Sequence, residues 1–275
     1  MFDRWKSIAT LALVGSFVMA TGAPAATISG TVTYDGKVPN LKPLAMDADP
    51  VCASKHKEPV PNQALELGKS GNTMGNILVR VATGLPAGKT YPAPKDPVVM
   101  DQNGCIYQPH VFVIQQGQTF KVLNSDGVLH NVHALPKVNG QFNMAMPPNR
   151  KEAEHVFDKP EDPFQIKCDV HPWMKQWVRV FDHPYFAVTG EDGKFTIDTN
   201  GLKDGQYEVQ AWHELYHDSA PQKITVKDGK ADKELEFKYK SNPAKAQASP
   251  VKRVHLAAAN GSPACCSATA IARAK

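Results

Sequence analysis

Asp-Gly pairs punctuate the chain at 35–36, 126–127, 192–193, 204–205 and 228–229, and short apolar runs fill the spaces between them. Asp-Gly tolerates the left-handed backbone of tight hairpins, so it marks turns and not element interiors. Ile28–Thr33, Asn76–Val81, Val111–Ile114, Thr119–Asn124, Gln176–Phe181 and Tyr207–Trp212 are rich in β-branched and aromatic residues, several with strict alternation. Such runs read as strands. No long stretch repeats apolar residues at the helical 3.6 spacing. The class is therefore all-β. Pro39–Pro61, with Cys52 and His56, reads as a long loop; Gly84–Pro97 reads as loop, and Asn139–Arg150 as a flexible connection.

At 275 residues the chain has room for one or two domains. Residues 1–26 read as a signal peptide: Arg4 and Lys6 precede the apolar run Ile8–Ala20, and Ala23-Pro24-Ala25 suits cleavage. That run is too short to span a bilayer, so the expectation is export to the periplasm without stable membrane insertion. Residues 241–275 are Ala-, Ser- and Pro-rich and read as a disordered basic tail. The tail has five basic residues and no acid, and the leader is +1; of the overall +4 this leaves the body at about −2. A nucleic-acid partner has no support in that distribution.

The stretch Cys168-Asp169-Val170-His171-Pro172-Trp173-Met174 carries the chemistry. A thiol, an imidazole and a thioether fall within one short loop. With a second imidazole they make the ligand set of a blue-copper electron-transfer centre. Cys-x2-His alone could be half of a zinc site, but no second C-x-x-C or H-x-x-H pair lies near enough to complete one. His130 is the candidate second imidazole. His133, three residues on, points to the opposite face of a strand and is read as a non-ligand.

His130-Asn131-Val132-His133 followed by Cys168-x2-His171-x2-Met174 resembles the copper motif of amicyanin, within the plastocyanin-like cupredoxins, over about Val111 to Pro184. The resemblance implies a Greek-key β-sandwich holding type 1 copper through His130, Cys168, His171 and Met174. It implies that Asn131 ties the two ligand loops together. It also implies that His171 is the electron exit, through an apolar patch for which Leu129, Pro136, Pro172 and Trp173 are candidates. With Cys168 assigned to metal, Cys52 and Cys105 are read either as a disulfide or as two buried thiols; Cys265 and Cys266 lie in the tail. A longer architecture is also similar: secreted bacterial proteins labelled methylamine-utilisation proteins, which add a carboxypeptidase-regulatory-like β-domain. That label says nothing certain of function.

The expected division is thus a signal peptide (1–26), a copper domain with an N-terminal extension (27–183), a small transthyretin-like β-sandwich (184–240) and the tail (241–275). The expected function is a periplasmic one-electron carrier, not an enzyme, because four protein ligands leave no open metal position. Its partner would be a redox protein such as a c-type cytochrome or a periplasmic dehydrogenase. The alternative is copper binding or delivery without electron transfer, suggested by Met144, Met146, the spare histidines and the tail cysteines. A further metal at His213 or His217, beside Glu214, would point instead to an enzyme.

Overall fold

The computed structural model describes residues 27–69 and 71–240; the expected leader and basic tail, with Cys265 and Cys266, lie outside the described residues. The chain begins with β1 (Thr27–Asp35), a one-turn helix α1 (Pro50–Ser54) and β2 (Leu78–Thr83). Then come β3 (Val98–Gln102), β4 (Tyr107–Gln108), β5 (Val111–Gln115), β6 (Thr119–Asn124), β7 (His130–Ala134), β8 (Phe142–Met146), β9 (Glu152–Val156), β10 (Glu161–Lys167) and β11 (Lys175–Phe181). The last group is β12 (Phe186–Val188), β13 (Lys194–Asp198), β14 (Gly205–His213), β15 (His217–Asp218), β16 (Gln222–Lys227), β17 (Lys230–Ala231) and β18 (Leu235–Lys240). The all-β class read from the alternation is the class of the structure.

Two β-sandwiches result. The motif-bearing one packs the sheet β5-β11-β10-β7-β8 against β4-β3-β6-β9. Phe112, Ile114, Phe120, Val122, Ile166 and Val178 fill its core, with the rings of Phe112 and Phe120 stacked at 5.0 Å. The other joins β13-β1-β18 to the sheet β12-β2-β14-β16-β17, with β15 added beside β14. Its core includes Ile28, Val32, Val79, Phe195, Val209 and Phe237.

The division at residue 183 is corrected by these pairings. β1 lies antiparallel to β13, Ile28 opposite Ile197, and parallel to β18, Val32 opposite Phe237. β2 lies between β12 and β14. The second sandwich is therefore built from both ends of the described chain, and β3–β11 fold as a unit placed between them. Pairing across some two hundred residues leaves no trace in local periodicity, which reports faces and not neighbours. One local sign exists: a Cβ at Gly30 would stand 2.1 Å from the Leu235 carbonyl oxygen, so only glycine lets β1 approach β18.

Two segments read as loop are regular. Phe142–Met146 forms edge strand β8, pairing His130 with Met146, and Met146 is buried in the core. α1 starts where Asp49 caps it, its side chain accepting from the N–H groups of Val51 (2.8 Å) and Cys52 (3.1 Å). Five residues are too few to show a period.

The sandwiches meet on Leu78, Val111, Phe181 and Trp212. The rings of Trp177 and Trp212 pack edge to face at 5.5 Å. Glu214 accepts from the Trp177 indole at 2.9 Å and pairs with His110. Among the described residues, no helix is long and apolar enough to cross a membrane.

Candidate metal centre

Three of the four expected ligands converge. His130 opens β7, where the ladder to β8 fixes its backbone, and its side chain is fully buried. Cys168 follows directly on β10. The loop from Cys168 to Met174 is closed by Cys168 N–H donating to the Met174 carbonyl (3.1 Å) and by Met174 N–H donating to the His171 carbonyl (2.9 Å). His171 N–H also points at the Cys168 sulfur, 3.4 Å away. This turn swings His171 beside His130. Ligand atoms of His130, Cys168 and His171 all lie within 4.8 Å of one another. The two Nδ1 atoms face each other at 2.9 Å, and Cys168 Sγ is 3.9 Å from His171 Nδ1. Met174 is 1% exposed and belongs to the same core cluster as Cys168.

Asn131 ties the loops as expected. Its Oδ1 accepts from Asp169 N–H at 2.7 Å and lies 3.3 Å from the Cys168 sulfur; its Nδ2 donates to Asn143 (2.7 Å) and Asp169 (3.0 Å). The Tyr107 hydroxyl donates to the Asn131 carbonyl from beneath. His133 turns away and pairs with Asp169 at 2.9 Å.

The outer nitrogens of both imidazoles carry carboxylates, which local sequence did not reveal. His130 Nε2 is 2.9 Å from Asp126, and His171 Nε2 is 3.0 Å from Asp49. Asp126 also accepts from the backbone N–H groups of Gly104 (2.7 Å) and Cys105 (2.8 Å) and from Lys55 Nζ (3.1 Å). Cys52 and Cys105 form a disulfide, with Cys52 Sγ 3.7 Å from His171 Nε2. Trp173 donates its indole N–H to the Cys105 carbonyl (2.9 Å), and its ring stands 5.0 Å from that of His171.

This cap closes over His171, the expected electron exit. His171 is 2% exposed because Asp49, α1 and the disulfide cover its edge. Pro136 is buried as well. Leu129 and Pro172 are exposed, and Trp173 is half-buried.

The electrostatics favour a cation between the ligands. Burial alone would raise the Cys168 thiol, but hydrogen bonding toward His130 and to backbone groups at Asn131, His171 and Val170 outweighs it and holds the thiol below its ordinary range. Burial alone would lower His130, but Asp126 and the Cys168 sulfur outweigh it and raise the imidazole. Asp49 is held low, first by its bond to His171 and then by the N–H of Cys52. A carboxylate only accepts, so Asp49 and Asp126 keep protons on the two Nε2 atoms and aim both Nδ1 atoms inward. Two inward nitrogens, a thiol of lowered pKa and a buried thioether in the same loop suit a soft, four-ligand metal set.

Nothing comparable forms around His213. It is 2% exposed, burial holds it down at about 4, and its Nδ1 accepts from Leu215 N–H at 3.2 Å. His217 lies at the surface, and Glu214 is engaged by His110 and Trp177. Among the described residues, every group of three donors close enough to hold a metal includes His130 or His171.

No family model matches the chain, and no curated protein is similar to it at a significant level. Solved structures with partial likeness include a Cu-containing nitrite reductase from Thermus scotoductus SA-01, 24% identical, covering 37% of this chain and 26% of that one, at a TM-score of 0.28. The chain thus spans about a quarter of that enzyme's length. A purple cupredoxin from Nitrosopumilus maritimus is 23% identical and covers 30% of this chain and 97% of its own, at 0.26. An oxidized mutant of amicyanin is 19% identical and covers 37% and 97%, at 0.28. Scores this low leave the chemistry to the geometry above.

Proposed function

We propose that the protein is an exported type 1 copper protein that carries single electrons between redox proteins in the periplasm. The observation behind this reading is the convergence of His130 Nδ1, His171 Nδ1 and Cys168 Sγ in one buried spot. His130, Cys168, His171 and Met174 would hold the copper. Bound there, copper supplies one-electron exchange between Cu(I) and Cu(II). The chain's own residues hold the ligands still: the sandwich fixes His130, the 168–174 turn fixes His171, and Asn131 locks one loop to the other.

A carrier needs a metal that stays in place through many cycles. The buried ligands and the cap over His171 favour retention over delivery, and Met146 packs in the core instead of offering a docking thioether. Four protein ligands leave no position open for substrate, which favours a carrier over an enzyme. A protein partner, such as a c-type cytochrome or a dehydrogenase, would meet Pro172 and Trp173 instead of a bare imidazole edge.

Adding Cu(II) to the mature protein should give an intense visible Cu(II)–thiolate band that Cys168→Ser abolishes. Copper bound without that band would overturn the type 1 assignment. Rapid loss of Cu(I) to a chelator would replace the carrier with a delivery protein.

A further inference from the structure

We propose that Asp49 is a positioning residue for the metal centre: it fixes the His171 tautomer that presents Nδ1 to the ion. The inference rests on the copper reading and adds a residue 122 positions from its partner. Asp49 divides its two oxygens. Oδ1 is committed to the helix, accepting from Val51 N–H and Cys52 N–H at 2.8 and 3.1 Å. Oδ2 is left for His171 Nε2 at 3.0 Å. A carboxylate oxygen cannot donate, so Nε2 must carry the proton and Nδ1 must keep its lone pair. That lone pair faces His130 Nδ1 at 2.9 Å, where the ligands converge.

Asp49 is not free to swing away. The Cys52–Cys105 disulfide fastens α1 to the 103–106 turn. Asp126 grips that turn through Gly104 and Cys105 and holds Lys55, the residue after α1. Trp173, three residues after Asp169-Val170 in the ligand loop, bonds the Cys105 carbonyl of the same turn. The cap and the ligand loop are therefore tied to the same turn. Asp126 does for His130 what Asp49 does for His171, at 2.9 Å.

Two substitutions at Asp49 separate positioning from simple capping. Asparagine caps a helix as well as aspartate does. Its oxygen is claimed by the two backbone N–H groups, so its amide N–H₂ faces His171 Nε2. Nε2 must then accept, and the proton moves to Nδ1, where it blocks the metal; a reversed tautomer of this kind disables a histidine whose surroundings are intact. Serine also caps the helix but is too short to reach His171, so it leaves the tautomer unforced.

The test uses the full exported chain. Copper affinity is measured by chelator competition, and the His171 tautomer by long-range ¹H–¹⁵N correlation on the metal-free protein. Asp49→Asn should move the His171 proton from Nε2 to Nδ1 and weaken copper binding ~10–100-fold, the usual effect of losing an outer partner of a metal-bound histidine. Asp49→Ser should lose less. Equal losses in the two variants would show that Asp49 serves only the helix, and an unmoved tautomer in Asp49→Asn would overturn the proposal. If wild-type protein bound copper without a thiolate band, the copper reading would fail separately, and the tautomer measurement would still decide the role of Asp49.

Discussion

Removing the Cys52–Cys105 disulfide should cost the metal-free protein about 4 kcal/mol. The two cysteines are 53 residues apart, and the chain-entropy relation for a closed loop of that length gives about 4 kcal/mol at 25 °C. Packing adds a separate cost, because both sulfurs are fully buried. The two costs can be measured apart. Wild-type protein refolded under reducing conditions keeps both sulfurs but loses the closed loop, whereas Cys52→Ala with Cys105→Ala loses both. Urea unfolding of the metal-free forms, followed by tryptophan fluorescence, should show most of the loss already in the reduced wild type. Leaving copper out matters, since a metal bound only to the folded state would add its own stabilisation. If the reduced wild type lost under about 1 kcal/mol while the alanine pair lost several, the loop-closure reasoning would be refuted and the bridge would act through native packing.

Copper affinity should fall as pH drops, because the ion displaces the raised His130 proton and the Cys168 thiol proton; competition titrations should show about a tenfold loss per pH unit for each proton displaced. Acid should also destabilise the metal-free fold. Burial holds His183 and His213 down at about 4, below the ordinary histidine value of about 6.5, so each is neutral when folded and binds a proton on unfolding. Their stabilisation is complete above about 6.5 and is lost as pH falls toward 4, up to about 3 kcal/mol each, and His213→Asn should flatten that slope in chemical denaturation. Glu161→Ala should cost roughly 3 kcal/mol in the same assay, since the carboxylate alone accepts the backbone N–H groups of Lys137, Val138 and Asn139.

Strands were legible in the sequence where one face is buried and the other wet, as in β1, whose residues alternate inward and outward along its length. The motif spacing brought His130, Cys168 and His171 to attention because ligands of a short loop must be close in sequence. What stayed hidden depends on distant contact. Nothing near His171 announces Asp49, and the burial of His171 follows from the distant segment that brings Asp49 and Cys52 against it. One local sign does exist: Asp49-Pro50 is a helix start, a capping acid followed by proline at the first helical position. The same limit hid the pairing of β1 with β18, for which Gly30 was the only local mark.

The route of the chain gives the second sandwich a role that its own side chains do not. β1 is paired on both sides and β2 lies inside its sheet, so both are firmly held in that sandwich. Residues 36–77 leave the one and return to the other, and in between they bring Asp49 and Cys52 to the candidate metal centre of the other sandwich. The cap is thus anchored at both ends in one unit and stapled at its middle to the other. Among the described residues donors do not converge in the second sandwich, yet without it the loop bearing Asp49 would be held only by the disulfide and by the Lys55–Asp126 and Asp49–His171 contacts. A chain cut back to β3–β11 would keep His130, Cys168, His171 and Met174 but lose Asp49, Cys52 and the cover over His171. The resemblance carried by the four candidate ligands therefore describes only part of this site, because Asp49, the carboxylate bonded to His171, arrives on a loop rooted in the other sandwich.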